Sequence, residues 1–169
     1  EGTVEEEYAR NGFFGKYAHL YRQHAPVGWT RIDGPLKPRA YDLRELSGSG
    51  DWLEGRMGIL GNADVKLSLA MLSSPMPWLF RNADADEILF IHQGAGRLET
   101  DFGPLAYEAG DYLLLPRGTA YRLSPTSPTK SLVVEAYSEV AFPEKGMLGQ
   151  HALFDPAVVQ VPNPEGSTL

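Results

Sequence analysis

Between Asp64 and Leu72 apolar and polar side chains alternate strictly. Val65, Leu67, Leu69 and Met71 fall on one face, and Lys66, Ser68 and Ala70 on the other. A period of two predicts a half-buried strand. Pro75 and Pro77 stop it, and Trp78, Leu79 and Phe80 open the next edge. Two short apolar runs follow, Glu87–His92 and Asp111–Leu115, bounded by Gln93-Gly94-Ala95-Gly96 and by Pro116-Arg117-Gly118. Arg97–Phe102, Leu105–Tyr107 and, after the polar SPTSPTK turn, Ser131–Tyr137 complete the series. Short strands rich in Ile, Leu, Phe and Tyr, separated by Gly and Pro, predict an all-β meander of hairpins.

The flanks are less periodic. An acidic run, Glu5-Glu6-Glu7, precedes a stretch holding Phe13, Phe14, Tyr17, Tyr21 and Trp29. So many aromatics predict burial of an extended arm, on this domain or on a neighbouring subunit. Residues 31–63 carry many breakers, among them Gly34, Pro35, Pro38 and Ser47-Gly48-Ser49-Gly50, and predict a loop-rich approach with one short strand near Ala40–Leu43. Trp52, Leu53, Met57, Ile59 and Leu60 need burial, so this stretch is not an interdomain linker. From Ser138 onward the chain reads as irregular. The expected organisation is an arm and loop-rich approach over 1–63 packed on the barrel, a barrel core over 64–140, and an irregular segment over 141–169.

Composition narrows the class. The 169 residues suffice for one domain with a sizeable core. A net charge of −7 and a pI near 5.1 argue against nucleic acid and anionic membranes as partners. No apolar run approaches the roughly 18 residues of a membrane span, and no signal-peptide pattern is evident. With no cysteine there are no disulfides and no thiolate metal sites, which suits a cytoplasmic protein.

Few residues point to chemistry. His19 and His24, five apart, suit neither one helix face nor one strand face, and two loop histidines are preferred over a metal pair. Asp84, Asp86 and Glu87 have the oxygen chemistry of a hard-cation site but too few ligands, so a solvated acidic turn is preferred. Glu87 and His92 fall on opposite faces of a regular strand, which counts against them as a metal pair. His151 stands alone. Two readings remain for the central residues. In one, Glu87, Tyr121 and Arg97 line a small polar pocket. In the other, preferred, Glu87 is paired with a nearby arginine, because a buried carboxylate needs a partner.

The spacing within Glu87–Tyr121 resembles the two signature motifs of the cupin superfamily. The first ends in Glu, six residues, Gly, as Glu87 to Gly94 does. The second runs Gly, five residues, Pro-x-Gly, two residues, His, which Gly110, Pro116 and Gly118 match until Tyr121 stands at the His. The Asn expected four residues later is Pro125. The paired His of the first motif would stand at Phe80 and Asn82, or at Arg81 and Ala83. The resemblance therefore implies a double-stranded β-helix, a jelly-roll barrel with an irregular aromatic N-terminal arm, whose metal site has lost all ligands but Glu87.

A longer stretch, FRNADADEILFIHQGAGRLETDFGPLAYEAGDYLLLPRGTAYRL, with the later EAYSEVAFPEKGMLGQHALFDPAVVQVP, resembles the N-terminal cupin of the homogentisate 1,2-dioxygenase family. The resemblance implies an iron(II) enzyme that opens an aromatic ring with O₂. Its iron ligands, two His and one Glu, come from a C-terminal cupin outside these residues, so no catalytic or metal-binding residue transfers here. This chain is then expected to be structural, a partner of a C-terminal cupin half and of further copies in a homo-oligomer. The loop composition of VPNPEGSTL suits a join to a second cupin. The rival reading is a stand-alone degenerate cupin that binds a small molecule.

Overall fold

The computed structural model describes residues 2–12, 14–25, 28–46, 50–142 and 155–164. Contacts divide the chain into two units, Glu1–Arg44 and Glu45–Leu169.

The first unit is built on a hairpin. Strand β1 (Val4–Asn11) pairs antiparallel with β2 (Phe14–Arg22), from Val4 opposite Arg22 to Asn11 opposite Phe14. The expected irregular arm is thus a regular ribbon over these residues. The aromatic-rich sequence suits strand pairing. Among the described residues of this ribbon Tyr8, Phe14, Tyr17 and Tyr21 are exposed. Phe13 lies outside the described residues. His19 lies in β2, not in a loop. It bonds Glu5 across the ribbon and tilts against Tyr17. The strand expected near Ala40–Leu43 is absent, and a short 3₁₀ turn, Leu43–Glu45, stands there.

The second unit is a bent antiparallel sheet of β3 (Met57–Gly61), β4 (Val65–Leu72), β5 (Phe80–Arg81), β6 (Asp86–Thr100), β7 (Gly103–Tyr107), β8 (Tyr112–Leu115) and β9 (Ala120–Ala136). The order is β3-β4-β9-β6-β7, with β5 on β9 and β8 on β6. β6 and β9 pair along almost their full lengths, Asp86 opposite Ala136 to Thr100 opposite Tyr121. They continue through the segments expected to be turns. Register shifts between Ile91 and Gln93, Gln93 and Ala95, and Ala95 and Gly96 bend the pair, as β-bulges do. Gly94 has φ +95°, and a Cβ there would stand 2.4 Å from the Pro128 carbonyl oxygen. Side chains replace the lost ladder bonds: Ala95 N–H donates to Ser127 Oγ at 3.0 Å, and Thr126 Oγ1 donates to the Ala95 carbonyl at 3.1 Å.

The two faces of this sheet carry different residues. Inside, Leu72, Leu89, Ile91, Leu98, Leu113, Leu115, Leu123 and Val133 form the core with Trp52 and Met76 from loops. On β4 the inward set is Ser68, Ala70 and Leu72, all buried, whereas Val65, Leu67 and Met71 are only partly covered. The more apolar face of that strand is the outer one. Outside, the register lines up two apolar rows across five strands. One is Leu60, Leu67, Val134, Ile88, Leu114, and the other is Met57, Leu69, Leu132, Phe90, Tyr112. Phe90 and Tyr112 tilt together at 4.8 Å. No helix of the described residues is long and apolar enough to cross a membrane.

Candidate functional site

At one end of the inner face the sheet holds charges. Lys66, Glu135 and Glu87 are cross-strand neighbours on β4, β9 and β6. Glu87 is 1% exposed, and two carboxylates opposite one another on adjacent strands repel unless a cation serves both. That cation is Arg56. Its Nη1 donates to Glu87 Oε1 at 2.6 Å and lies 3.8 Å from Glu135 Oε1. Its Nη2 donates to Tyr121 Oη at 2.9 Å.

The loop before β3 delivers this side chain. Asp51 Oδ1 accepts from the N–H groups of Leu53 and Glu54 at 2.9 and 2.7 Å, closing a turn. The turn sends Trp52 inward, where its indole N–H donates to Tyr121 Oη at 3.0 Å. Arg56 Nε donates back to the Trp52 carbonyl. The guanidinium lies between two rings, 5.4 Å from Trp52 and 5.6 Å from Phe80, and gains cation–π attraction from both. Phe80 meets Tyr121 edge-on at 5.6 Å. Asn82 Nδ2 donates to Glu135 Oε1 at 3.1 Å, and Lys66 Nζ is 3.6 Å from Glu135 Oε2.

The electrostatics follow from this packing. Burial works against the Arg56 charge, but Tyr121, Glu87 and Glu135 outweigh it and hold the guanidinium above its ordinary range. Burial first, then the Glu87 charge, keeps the Tyr121 phenol protonated far above its usual range. Glu87 Oε2, Glu135 Oε2 and Ser68 Oγ are buried without a hydrogen-bonding partner among the described residues.

Glu87 and Tyr121, expected near one another, are brought together. The arginine expected beside Glu87 is Arg56, not Arg97. Arg97 leaves the site because Leu98 and Thr100 take the inward positions beyond the bulges. It lies 4.0 Å from Glu99, which Arg122 binds at 2.6 Å. His92 is exposed and stands apart from Glu87. Asp86 is a structural clamp rather than part of a cation loop. Its carboxylate accepts from Val140 and Arg117 N–H, both at 2.8 Å, which lowers its pKa. His151 lies outside the described residues. Arg56, Lys66 and Glu135 were not singled out for the site from sequence, and Trp52 was read only as a side chain that needs burial. The available signal was one cation inside the apolar run Trp52–Leu60, and one carboxylate in step with Val133.

This donor set does not fit iron. The central carboxylate is already bonded to a guanidinium, and the positions that the motif gives to histidine carry Tyr121 and either Phe80 and Asn82 or Arg81 and Ala83. Among the described residues no three His, Cys, Asp or Glu side chains gather into a metal-binding group.

A family model described as homogentisate 1,2-dioxygenase N-terminal matches residues 24–164. The chain belongs to that family. A protein of Saccharolobus solfataricus, provisionally named a dioxygenase, is 31% identical over 144 residues, covering 78% of this chain and 38% of that protein. The homogentisate 1,2-dioxygenases of Bradyrhizobium diazoefficiens and Emericella nidulans are 34% and 27% identical over 76 and 131 residues. These alignments cover 44% and 72% of this chain, and 17% and 29% of those enzymes. The chain therefore spans well under half the length of the curated relatives it matches. Among solved structures, the Schizosaccharomyces pombe Cnp3 cupin domain aligns with TM-score 0.52 and 10% identity over 82% of this chain and 89% of that one. The fold of this family member is accordingly the all-β cupin barrel.

Proposed function

We propose that this chain is the metal-free, N-terminal cupin half of a homogentisate 1,2-dioxygenase-like ring-cleaving oxygenase, and that its own role is structural and in assembly. The observation that carries this reading is the Arg56 guanidinium bonded to Glu87 and Tyr121, two motif positions that hold metal ligands in the cupin pattern. A fixed internal cation already engages Glu87 Oε1 and Tyr121 Oη, where a catalytic metal would need ligands of its own and an open coordination position. The iron(II), its ligands and the aromatic substrate then belong to a C-terminal cupin. The assembly is a cytoplasmic homo-oligomer serving aromatic amino acid catabolism.

The test is metal content by plasma mass spectrometry on the purified chain after anaerobic incubation with Fe(II). The expected result is far less than one iron per chain and no oxygen uptake with homogentisate. About one iron per chain would overturn the metal-free reading and make Glu87 a ligand to be mutated.

A second reading, a small-molecule binding module, has one observation in its favour. A cleft of about 440 Å³ opens beside Trp52, walled by Leu53, Met76 and Trp78 with Ser73 and Ser74. Arg97 is no part of it.

A further inference from the structure

Three buried oxygens around the Arg56 centre have no hydrogen-bonding partner among the described residues: Ser68 Oγ, Glu87 Oε2 and Glu135 Oε2. They belong to one face of three adjacent strands. Glu135 on β9 is opposite Glu87 on β6, and Ser68 on β4 is opposite Val133, the next residue of β9 on the Glu135 face. Arg56 directly precedes Met57, whose partner is Leu69, so its side chain comes from beyond the Ser68 row to reach both glutamates. Val133 and Leu89 continue the Ser68 row, and both are fully buried, which shuts this layer off from bulk solvent.

Burying a polar group without a partner costs free energy. The neighbouring donors are directed elsewhere. Arg56 bonds Glu87 Oε1 and Tyr121 Oη. Asn82 bonds Glu135 through the other carboxylate oxygen, Oε1, at 3.1 Å. Lys66 Nζ is 3.6 Å from Glu135 Oε2, too far for a hydrogen bond. The three oxygens describe what would complete them. Ser68 offers an O–H donor, and the carboxylates offer two acceptors. One water accepts from the first and donates to the other two, which makes about three bonds, the usual number for a buried water. An ion fits less well. The two carboxylates repel an anion. Arg56 and Lys66 already oppose their charge, so a further cation would leave positive charge in excess in the interior.

We infer that Ser68, Glu87 and Glu135 hold a single internal water, which joins the two carboxylates through the oxygens that Arg56 does not face. This rests on the metal-free reading proposed above and completes it. With guanidinium, Asn82 and water in place, both oxygens of each glutamate are bonded.

A crystal structure of the full chain, at a resolution that places ordered waters, tests it. The expected result is one peak at about 2.7–3.0 Å from all three oxygens, without anomalous signal. Oxygen-17 relaxation dispersion of the solvent reads the same water in solution. Ser68→Val fills its space with methyl groups and should remove about one long-lived water from the wild-type amplitude. Glu135→Gln serves as the second variant where far-UV circular dichroism shows that Ser68→Val does not fold. Asn82 holds Oε1, which turns the new amide N–H toward Glu87 Oε2, and the water should again be lost. Oε2 atoms bonded to one another or to Lys66, with no peak between them, overturn the water site and leave the metal-free reading standing. A peak with anomalous scattering after incubation with Fe(II) overturns both. A folded variant that keeps the full wild-type amplitude places the long-lived water elsewhere and overturns the site.

Discussion

The inner and outer faces of β4, β9 and β6 are separated by the thickness of one sheet and are held by different forces. Inside, at the Glu87 end, a guanidinium, two carboxylates, a phenol and an indole are joined by directed bonds and charge. Outside, the same three strands present Leu67, Leu69, Leu132, Val134, Ile88 and Phe90, which have shape but no polar chemistry. A directed network fails when one member is removed, because the others remain buried without partners. An apolar face loses only the area removed. The difference therefore lies in how each face responds to a single deletion.

The largest effect is expected at Arg56. Arg56→Ala strands Glu87 in the interior and should cost about 3–5 kcal/mol in urea unfolding. Arg56→Met with Glu87→Leu should recover most of that loss, since an apolar pair of similar volume leaves no uncompensated charge. Equal losses in the single and the double variant would mean that packing, not charge pairing, holds the centre.

Two neighbouring leucines on β8 sharpen the contrast further. Leu113 is 7% exposed and inward, and Leu114 is 48% exposed and outward. Leu113→Ala should cost about 2–5 kcal/mol, whereas Leu114→Ala should stay within about 1 kcal/mol in dilute solution. Similar costs for both would show that the outer face is already covered within a single chain.

The smallest effect concerns Asp86, at the start of β6. Its folded pKa is lowered by hydrogen bonds from Val140 and Arg117 N–H. A lowered folded pKa stabilises above the unfolded value, and that stability disappears as pH falls through the folded value. Asp86→Asn should therefore destabilise at pH 7 and matter progressively less below about pH 4. A difference between the two proteins that stays constant down to pH 2 would remove Asp86 from the acid response.

Much of this architecture was legible in the chain, and the failures share a cause. The alternation over Val65–Leu72 located β4. It could not show that small Ser68 and Ala70 would take the crowded interior and send the larger side chains out. Gly94 and the Ser-Pro-Thr run read as turns by local rule. They form bulges because β6 and β9 need each other more than either needs to end. Glu87 and Tyr121 were found through motif spacing. Arg56 was not, because its partners lie 31 and 65 residues further along and no local pattern links them. Tertiary demand, two inward carboxylates lacking a cation, selects it.

The position of Arg56 in the chain also sets an order in time. β6 and β9 can zip outward from Thr100 opposite Tyr121, whereas the arginine must return from a loop before β3 across closures of 31 residues to Glu87 and 65 to Tyr121. Distant contacts form late when loop closure opposes them. The guanidinium then acts as a latch on a barrel already assembled. It governs how long the native state persists more than how quickly it is reached.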